Sequence, residues 1–106
     1  MRLQFTSQAR EEFLRIVSVF AEFAGPRSAD KFIERVRERG ETLLKHPEIG
    51  HPEQLLAGRQ CKFRSISLNK NYYLIYHVTK STVWIVDIWD RRNNPAKLKS
   101  RIRISQ

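Results

Sequence analysis

The sequence predicts a single α+β domain, with a pair of helices packed on one face of an antiparallel sheet. Three observations carry this. The first half holds two apolar stripes at helical spacing, the second half holds three short alternating runs, and the connections between those runs are only a few polar residues long. With 106 residues the chain has room for one core. Its hydrophobic content of 41 % is that of a globular domain, and no apolar run approaches the roughly 18 residues of a spanning helix.

Met1 to Phe5 sets Met, Leu and Phe against Arg and Gln, a short strand pattern. Thr6 or Ser7 then caps a helix whose apolar positions are Ala9, Phe13, Ile16, Val17, Phe20, Phe23 and Ala24. Gly25-Pro26 breaks it, and Ser28 is read as the cap of a second helix. That helix carries Ala29, Phe32, Ile33, Val36, Leu43 and Leu44, with Gly40 on the same stripe, where the two helices are expected to approach closely. The opposite face mixes Lys31, Glu34, Arg35, Arg37, Glu38, Arg39 and Glu41, a composition that solvation explains. His46-Pro47 ends the helix.

Pro47 to Gly58 reads as a loop. Strands are expected at Lys62–Leu68, Tyr72–Val78 and Thr82–Trp89, joined by Asn69-Lys70-Asn71 and Thr79-Lys80-Ser81 into a meander. Along the second of these, Tyr72, Leu74, Tyr76 and Val78 share the core face, leaving Tyr73, Ile75 and His77 on the other. Asn94-Pro95 opens a short C-terminal helix. The face of the sheet away from the helices is expected to be free for a ligand or a partner chain.

Lys and Arg number 20 against 11 Asp and Glu, a net charge of +9, which points to an acidic partner. Nucleic acid, an anionic membrane and an acidic protein all fit that balance. The N-terminus lacks the apolar segment of a signal peptide, and the single Cys61 forms no internal disulfide, so a reducing cytoplasm is the expected compartment. His46, His51 and His77 have no ligand spacing, and the four glycines are scattered, so neither a metal site nor a phosphate-binding loop is expected, and no cofactor.

Metal-independent phosphate chemistry fits what remains. RNA carries its own nucleophile, the 2′-hydroxyl. Cleaving it takes a base, cations for the crowded phosphate, and a proton donor for the leaving oxygen. Glu53 and His77 are the candidate bases. Arg64, Arg91 and Arg92 suit the phosphate because a guanidinium bonds two oxygens at once, with Lys62, Lys97 and Lys99 behind them as nucleic-acid contacts. The plainer readings are that Arg64 and Lys62 protect strand edges, that Arg91 and Arg92 pair with Asp87 or Asp90, and that His77 is structural.

The order of elements, with Phe5-Thr6-Ser7-Gln8-Ala9, Tyr72-Tyr73-Leu74-Ile75-Tyr76 and Ile85-Val86-Asp87-Ile88-Trp89-Asp90-Arg91-Arg92, resembles the RelE/ParE superfamily of toxins from bacterial toxin–antitoxin pairs. The resemblance spans nearly the whole chain. It implies a RelE/ParE-like fold, neutralisation by a cognate antitoxin that is acidic and partly disordered before binding, and one of two targets. One branch cleaves mRNA on the ribosome; the other inhibits DNA gyrase. Gly50-His51-Pro52-Glu53-Gln54-Leu55-Leu56-Ala57-Gly58 is similar to the loop of YoeB-like ribonucleases, which implies Glu53 as base, and Arg91 falls near the arginine that nucleases of this superfamily carry at the end of the last core strand. Tyr73 stands where nuclease members usually carry arginine, and Lys97 to Gln106 has no His-Tyr pair, so the acid would be His77 or Lys97. Gyrase inhibition, or antitoxin binding alone, remain the alternatives to the ribonuclease.

Overall fold

The computed structural model describes residues 1–102, with the backbone alone at Lys99. The elements are β1 (Arg2–Phe5), α1 (Ser7–Phe23), α2 (Pro26–Lys45), β2 (His51–Pro52), a 3₁₀ turn (Gln54–Leu56), β3 (Arg64–Ser67), β4 (Tyr72–Val78), β5 (Thr82–Asp90) and α3 (Ala96–Arg101). This is the expected α+β order, with one added two-residue strand.

Thr6 caps α1, its hydroxyl oxygen accepting from the Ala9 N–H at 3.2 Å. The break before α2 is sharper than expected. Gly25 is the cap residue, at φ +94°, and Pro26 is the first helical residue. Ser28, expected as the cap, lies inside the helix and donates its hydroxyl to the Ala24 carbonyl at 3.1 Å.

The sheet order is β1-β5-β4-β3-β2. The meander β3-β4-β5 is antiparallel, and β1 joins it parallel to β5, with Phe5 opposite Ile85. The α1–α2 hairpin supplies the connection between β1 and the rest of the sheet. Between β3 and β4 the Asn69 side-chain oxygen accepts from the N–H groups of Asn71 and Tyr72, at 2.8 and 2.9 Å, which closes the turn.

The hairpin buries its stripe on one face of the sheet. Ile16, Phe32, Val36 and Leu43 pack against Tyr72, Leu74, Tyr76, Ile85 and Ile88. The Phe20 and Phe32 rings lie 5.2 Å apart, and Tyr72 meets Phe32 edge-on at 5.7 Å. Gly40 serves a different contact from the one expected. It faces β1 rather than α1: a Cβ there would stand 2.7 Å from Leu3 Cδ2.

β5 carries a bulge. Ile75 pairs with Asp87 and Tyr76 with Ile85, so Val86 has no direct partner on β4. Strict alternation would put Ile85 and Ile88 on opposite faces, and the extra residue lets both join the helix-side core. The opposite face, expected to be free for a ligand or a partner chain, is not free. A second core of Leu56, Phe63, Ile75, Val86 and Trp89 lies there, covered by Leu98 and Ile102 of the α3 segment. Tyr73 and His77 do lie on that face, as expected, while Val78 at the strand end is exposed.

No described helix is long and apolar enough to cross a membrane.

Candidate functional site: a polar cleft beside the sheet edge

β2 pairs with β3 only at His51–Ser65 and Pro52–Arg64, so Ile66 and Ser67 lie past its end. A cleft of about 690 Å³ opens at this step in the sheet. α2 contributes Arg39 and Thr42 to its walls, the 49–53 segment contributes Gly50, His51 and Glu53, β4 contributes Tyr73, and the turn after β5 contributes Arg91.

The 49–53 segment is held by two anchors. The Tyr76 hydroxyl donates to the Pro47 carbonyl at 2.8 Å and accepts from the Gly50 N–H at 2.9 Å. Gly50 has no room for a side chain: a Cβ would stand 2.5 Å from the Tyr76 hydroxyl oxygen and 2.7 Å from the Ser65 carbonyl oxygen. The second anchor is Arg64, which donates to the Gly50 carbonyl at 2.8 Å and to that of Glu48 at 3.3 Å. Arg64 thus shapes the wall without lining the cleft.

Glu53 sits at the cap of the 3₁₀ turn. Its N–H donates to the Phe63 carbonyl at 2.8 Å, and its carboxylate accepts from the Leu55 N–H at 3.3 Å. The Tyr73 phenol is next to it. Burial, reinforced by the charge of Glu53 and a hydrogen bond to its carboxylate, pushes Tyr73 up to about 12, with Arg91 opposing. The Arg91 guanidinium carbon lies 4.8 Å from the Tyr73 ring centre, a cation–π contact. Glu53, Tyr73 and Arg91 therefore form one unit: a carboxylate, a neutral phenol and a cation facing the same space.

The other sequence-predicted residues are elsewhere. His77 lies four residues along β4 from Tyr73, about 13 Å at strand rise. Its ring meets Phe63 edge-on, Nδ1 is 3.8 Å from the Cys61 sulfur, and burial holds its pKa below the usual histidine value. Lys62 is exposed beside a smaller pocket that it shares with Arg59 and Cys61. Arg92 turns to the helix face, over the Tyr72 ring at 5.9 Å, and forms a two-pronged bond with Asp90 at 2.9 and 2.8 Å. Its plainer reading, pairing with Asp90, is the geometry found. Lys97 is exposed on α3, and the Lys99 side chain lies outside the described residues.

Two cleft residues went unassigned in the sequence: His51 is weighed there only as a metal ligand and Arg39 only as part of a solvated helix face. Tyr73 is read there both as a ring that could stack on a splayed base and as a departure from a family pattern. The periodicity of α2 places Arg39 at the margin of its apolar stripe, and its Nε donates to the Ser67 carbonyl at 2.7 Å. That contact ties the helix to the β3 edge. Among the described residues, no group of three His, Cys, Asp or Glu side chains could hold a metal ion.

The sequence matches no curated protein. A solved chromosomal ParDE toxin–antitoxin system from P. aeruginosa shares the fold, with a TM-score of 0.68 at 19 % identity, covering 85 % of this chain and 95 % of that one. The YoeB dimer from Staphylococcus aureus superposes with a TM-score of 0.58 at 20 % identity, over 82 % of this chain and 92 % of that one. The model of the family described as ParE toxin of type II toxin–antitoxin system, parDE, matches residues 3–95. The chain belongs to this family and is the toxin of a type II toxin–antitoxin pair, with a cognate antitoxin as its partner.

Proposed function

We propose that this toxin is a metal-independent endoribonuclease that cleaves mRNA through the cleft between α2 and the β3 edge. The observation that carries the reading is the meeting of Glu53 and Arg91 around Tyr73 in one polar cleft. Glu53 takes the proton of an RNA 2′-hydroxyl. The freed oxygen attacks the adjacent phosphorus and the bond to the 5′-oxygen breaks, leaving a 2′,3′-cyclic phosphate and a 5′-hydroxyl. Arg91 balances the charge on the non-bridging oxygens. His51, the imidazole on this cleft, gives the proton to the departing 5′-oxygen in place of the remote His77. Tyr73 donates to Glu53 and orients it, and must release that carboxylate to the substrate. The net charge of +9 favours RNA and the ribosome as the setting.

A second reading is inhibition of DNA gyrase without cleavage. The dispersal of Arg64, Arg92 and His77 away from the cleft favours it, because the full set of groups named from the sequence does not assemble. The similarity to a ParDE system agrees with that branch.

The antitoxin would be met on the other side of the molecule. A groove of about 590 Å³ runs between β1 and the hairpin, lined by Phe5, Phe13, Leu14 and Ile33, with Arg10 and Arg37 beside them. An amphipathic segment with acidic flanks suits that surface.

The test is purified toxin on ribosome-bound mRNA beside a gyrase supercoiling assay. Cleavage leaving 5′-hydroxyl ends, lost in Glu53→Gln and in His51→Gln, is the expected result. Blocked supercoiling with intact RNA would replace this reading with the second.

A further inference from the structure

The C-terminal helix is fastened to the rest of the chain more firmly than its six residues require. Its Arg101 donates to the Asp87 carboxylate at 2.6 Å and to that of Glu12 at 3.2 Å. Asp87 is fully buried at the β5 bulge, where its other carboxylate oxygen lies 3.4 Å from the Gln8 side-chain amide. The Arg101 guanidinium carbon also lies 5.0 Å from the Trp89 ring. One side chain thus joins α3 to α1 and to β5, by two charge-assisted bonds and a ring contact.

What α3 covers is the segment that carries Glu53. Leu98 and Ile102 pack into the second core against Leu56, the last residue of the 3₁₀ turn. From the other side Arg59 donates to the Ile102 carbonyl. The 53–59 segment is short of internal bonds. The Leu55 N–H reaches the Glu53 carboxylate at 3.3 Å, the Leu56 N–H the Glu53 carbonyl at 3.1 Å and the Ala57 N–H that of Gln54 at 3.2 Å, and the segment has one fully buried side chain, Leu56, with Leu55 partly buried beside it. A single buried leucine is a weak anchor, and α3 forms part of the wall it is anchored to.

We infer that Arg101 is a positioning residue for the cleft: it locks α3 onto the sheet, and α3 holds the 3₁₀ turn that sets the Glu53 carboxylate beside Tyr73 and Arg91. The inference rests on the role proposed for Glu53: loosening α3 loosens the turn that carries that carboxylate without altering any residue of the cleft.

The experiment is residue-resolved amide hydrogen exchange on the full chain, comparing wild type with Arg101→Met, and with Leu98→Ala as a second way to loosen α3 that leaves Asp87 paired. The expected result is a loss of protection of about tenfold to a hundredfold at the Leu55, Leu56 and Ala57 amides. Phe32 and Val36 in α2 should keep wild-type protection, and Arg101→Lys should recover part of the loss. Unchanged exchange at residues 55–57 in both variants would overturn the inference. So would an equal loss across α2, which would make Arg101 a contributor to global stability only. Exchange is read without RNA. A wild-type chain that cleaves nothing would sink the proposed function while leaving this result legible.

Discussion

Replacing Gly50 with alanine should be among the most damaging single changes in this chain, and the structure gives the reason. The added Cβ would stand 2.5 Å from the Tyr76 hydroxyl oxygen and 2.7 Å from both Tyr76 Cε1 and the Ser65 carbonyl oxygen. The carbonyl belongs to paired sheet backbone, since Ser65 faces His51 across β2–β3 and Ile75 across β3–β4. Tyr76 is fully buried in the helix-side core, so its ring has no space to retreat into. Relief therefore comes by moving the 47–50 segment, which breaks the bonds of the Tyr76 hydroxyl to Pro47 and Gly50. Leaving buried polar groups unpaired costs about 1–3 kcal/mol each, and overpacking costs a similar amount. A loss of about 3–5 kcal/mol follows, a large share of the roughly 5–15 kcal/mol that holds a domain together. Equilibrium urea denaturation reads this as a fall in midpoint of about 2 M. Tyr76→Phe removes the hydroxyl, and with it the 2.5 Å contact and both hydrogen bonds. Gly50→Ala should therefore cost less in that background, with the ring-carbon and carbonyl contacts still felt, so the two changes are non-additive by more than about 1 kcal/mol. A Gly50→Ala chain within about 1 kcal/mol of wild type would refute the reasoning, as would strict additivity.

Burial raises Asp87 from 3.8 to about 6, with Arg101 pulling the other way. The folded chain then keeps a proton that the unfolded chain has released, so this group's contribution to stability falls as pH rises from about 3.8 to about 6. Wild type should lose about 3 kcal/mol relative to Asp87→Asn across that window, measured by urea denaturation at each pH, and a pH-independent difference would contradict the assignment. Arg92→Gln should leave the urea midpoint unchanged, because the Arg92–Asp90 pair is solvent-exposed on the arginine side. It should also leave cleft activity unchanged, because Arg92 faces Tyr72 rather than Tyr73. Affinity for the antitoxin should fall steadily between 0.1 and 1 M salt, as the screening length shrinks from about 10 to about 3 Å, measured by calorimetric titration. A salt-independent affinity would remove charge from the interface.

The helices and the meander were legible because each repeats a local period. α1 and α2 show their stripes over 17 and 20 residues, and β4 sends Tyr72, Leu74 and Tyr76 to one core and Tyr73 and Ile75 to the other, as a two-residue period requires. The strand His51–Pro52 was not legible, because two residues have no period and pair only where Arg64 and Ser65 present an edge. Nor was the second core. Its members Leu56, Phe63, Val86 and Leu98 come from four separate elements or loops, and only the folded chain brings them together. The bulge at Val86 hid in a run of apolar residues where either alternation is satisfied. At the cleft, residue type singled out Glu53 and Arg91 as candidates without placing them together, and the folded chain sets both on the walls of one cleft. It failed for Arg64, whose donors serve the Glu48 and Gly50 carbonyls, a use that a sequence does not display. It failed for His51 as well, because an imidazole in a loop carries no sign of the cleft it will line. Gly40 was marked as a close approach, but the partner is Leu3 of β1, a contact separated by thirty-seven positions.

The central claim is that Glu53 acts as a base on mRNA. It is tested most directly by mapping mRNA 5′ ends across the transcriptome after a brief pulse of toxin expression without antitoxin, beside a Glu53→Gln control. New ends at defined positions within reading frames, absent from the control, are the predicted result. Growth arrest with unbroken mRNA, or the same ends persisting in Glu53→Gln, would contradict it.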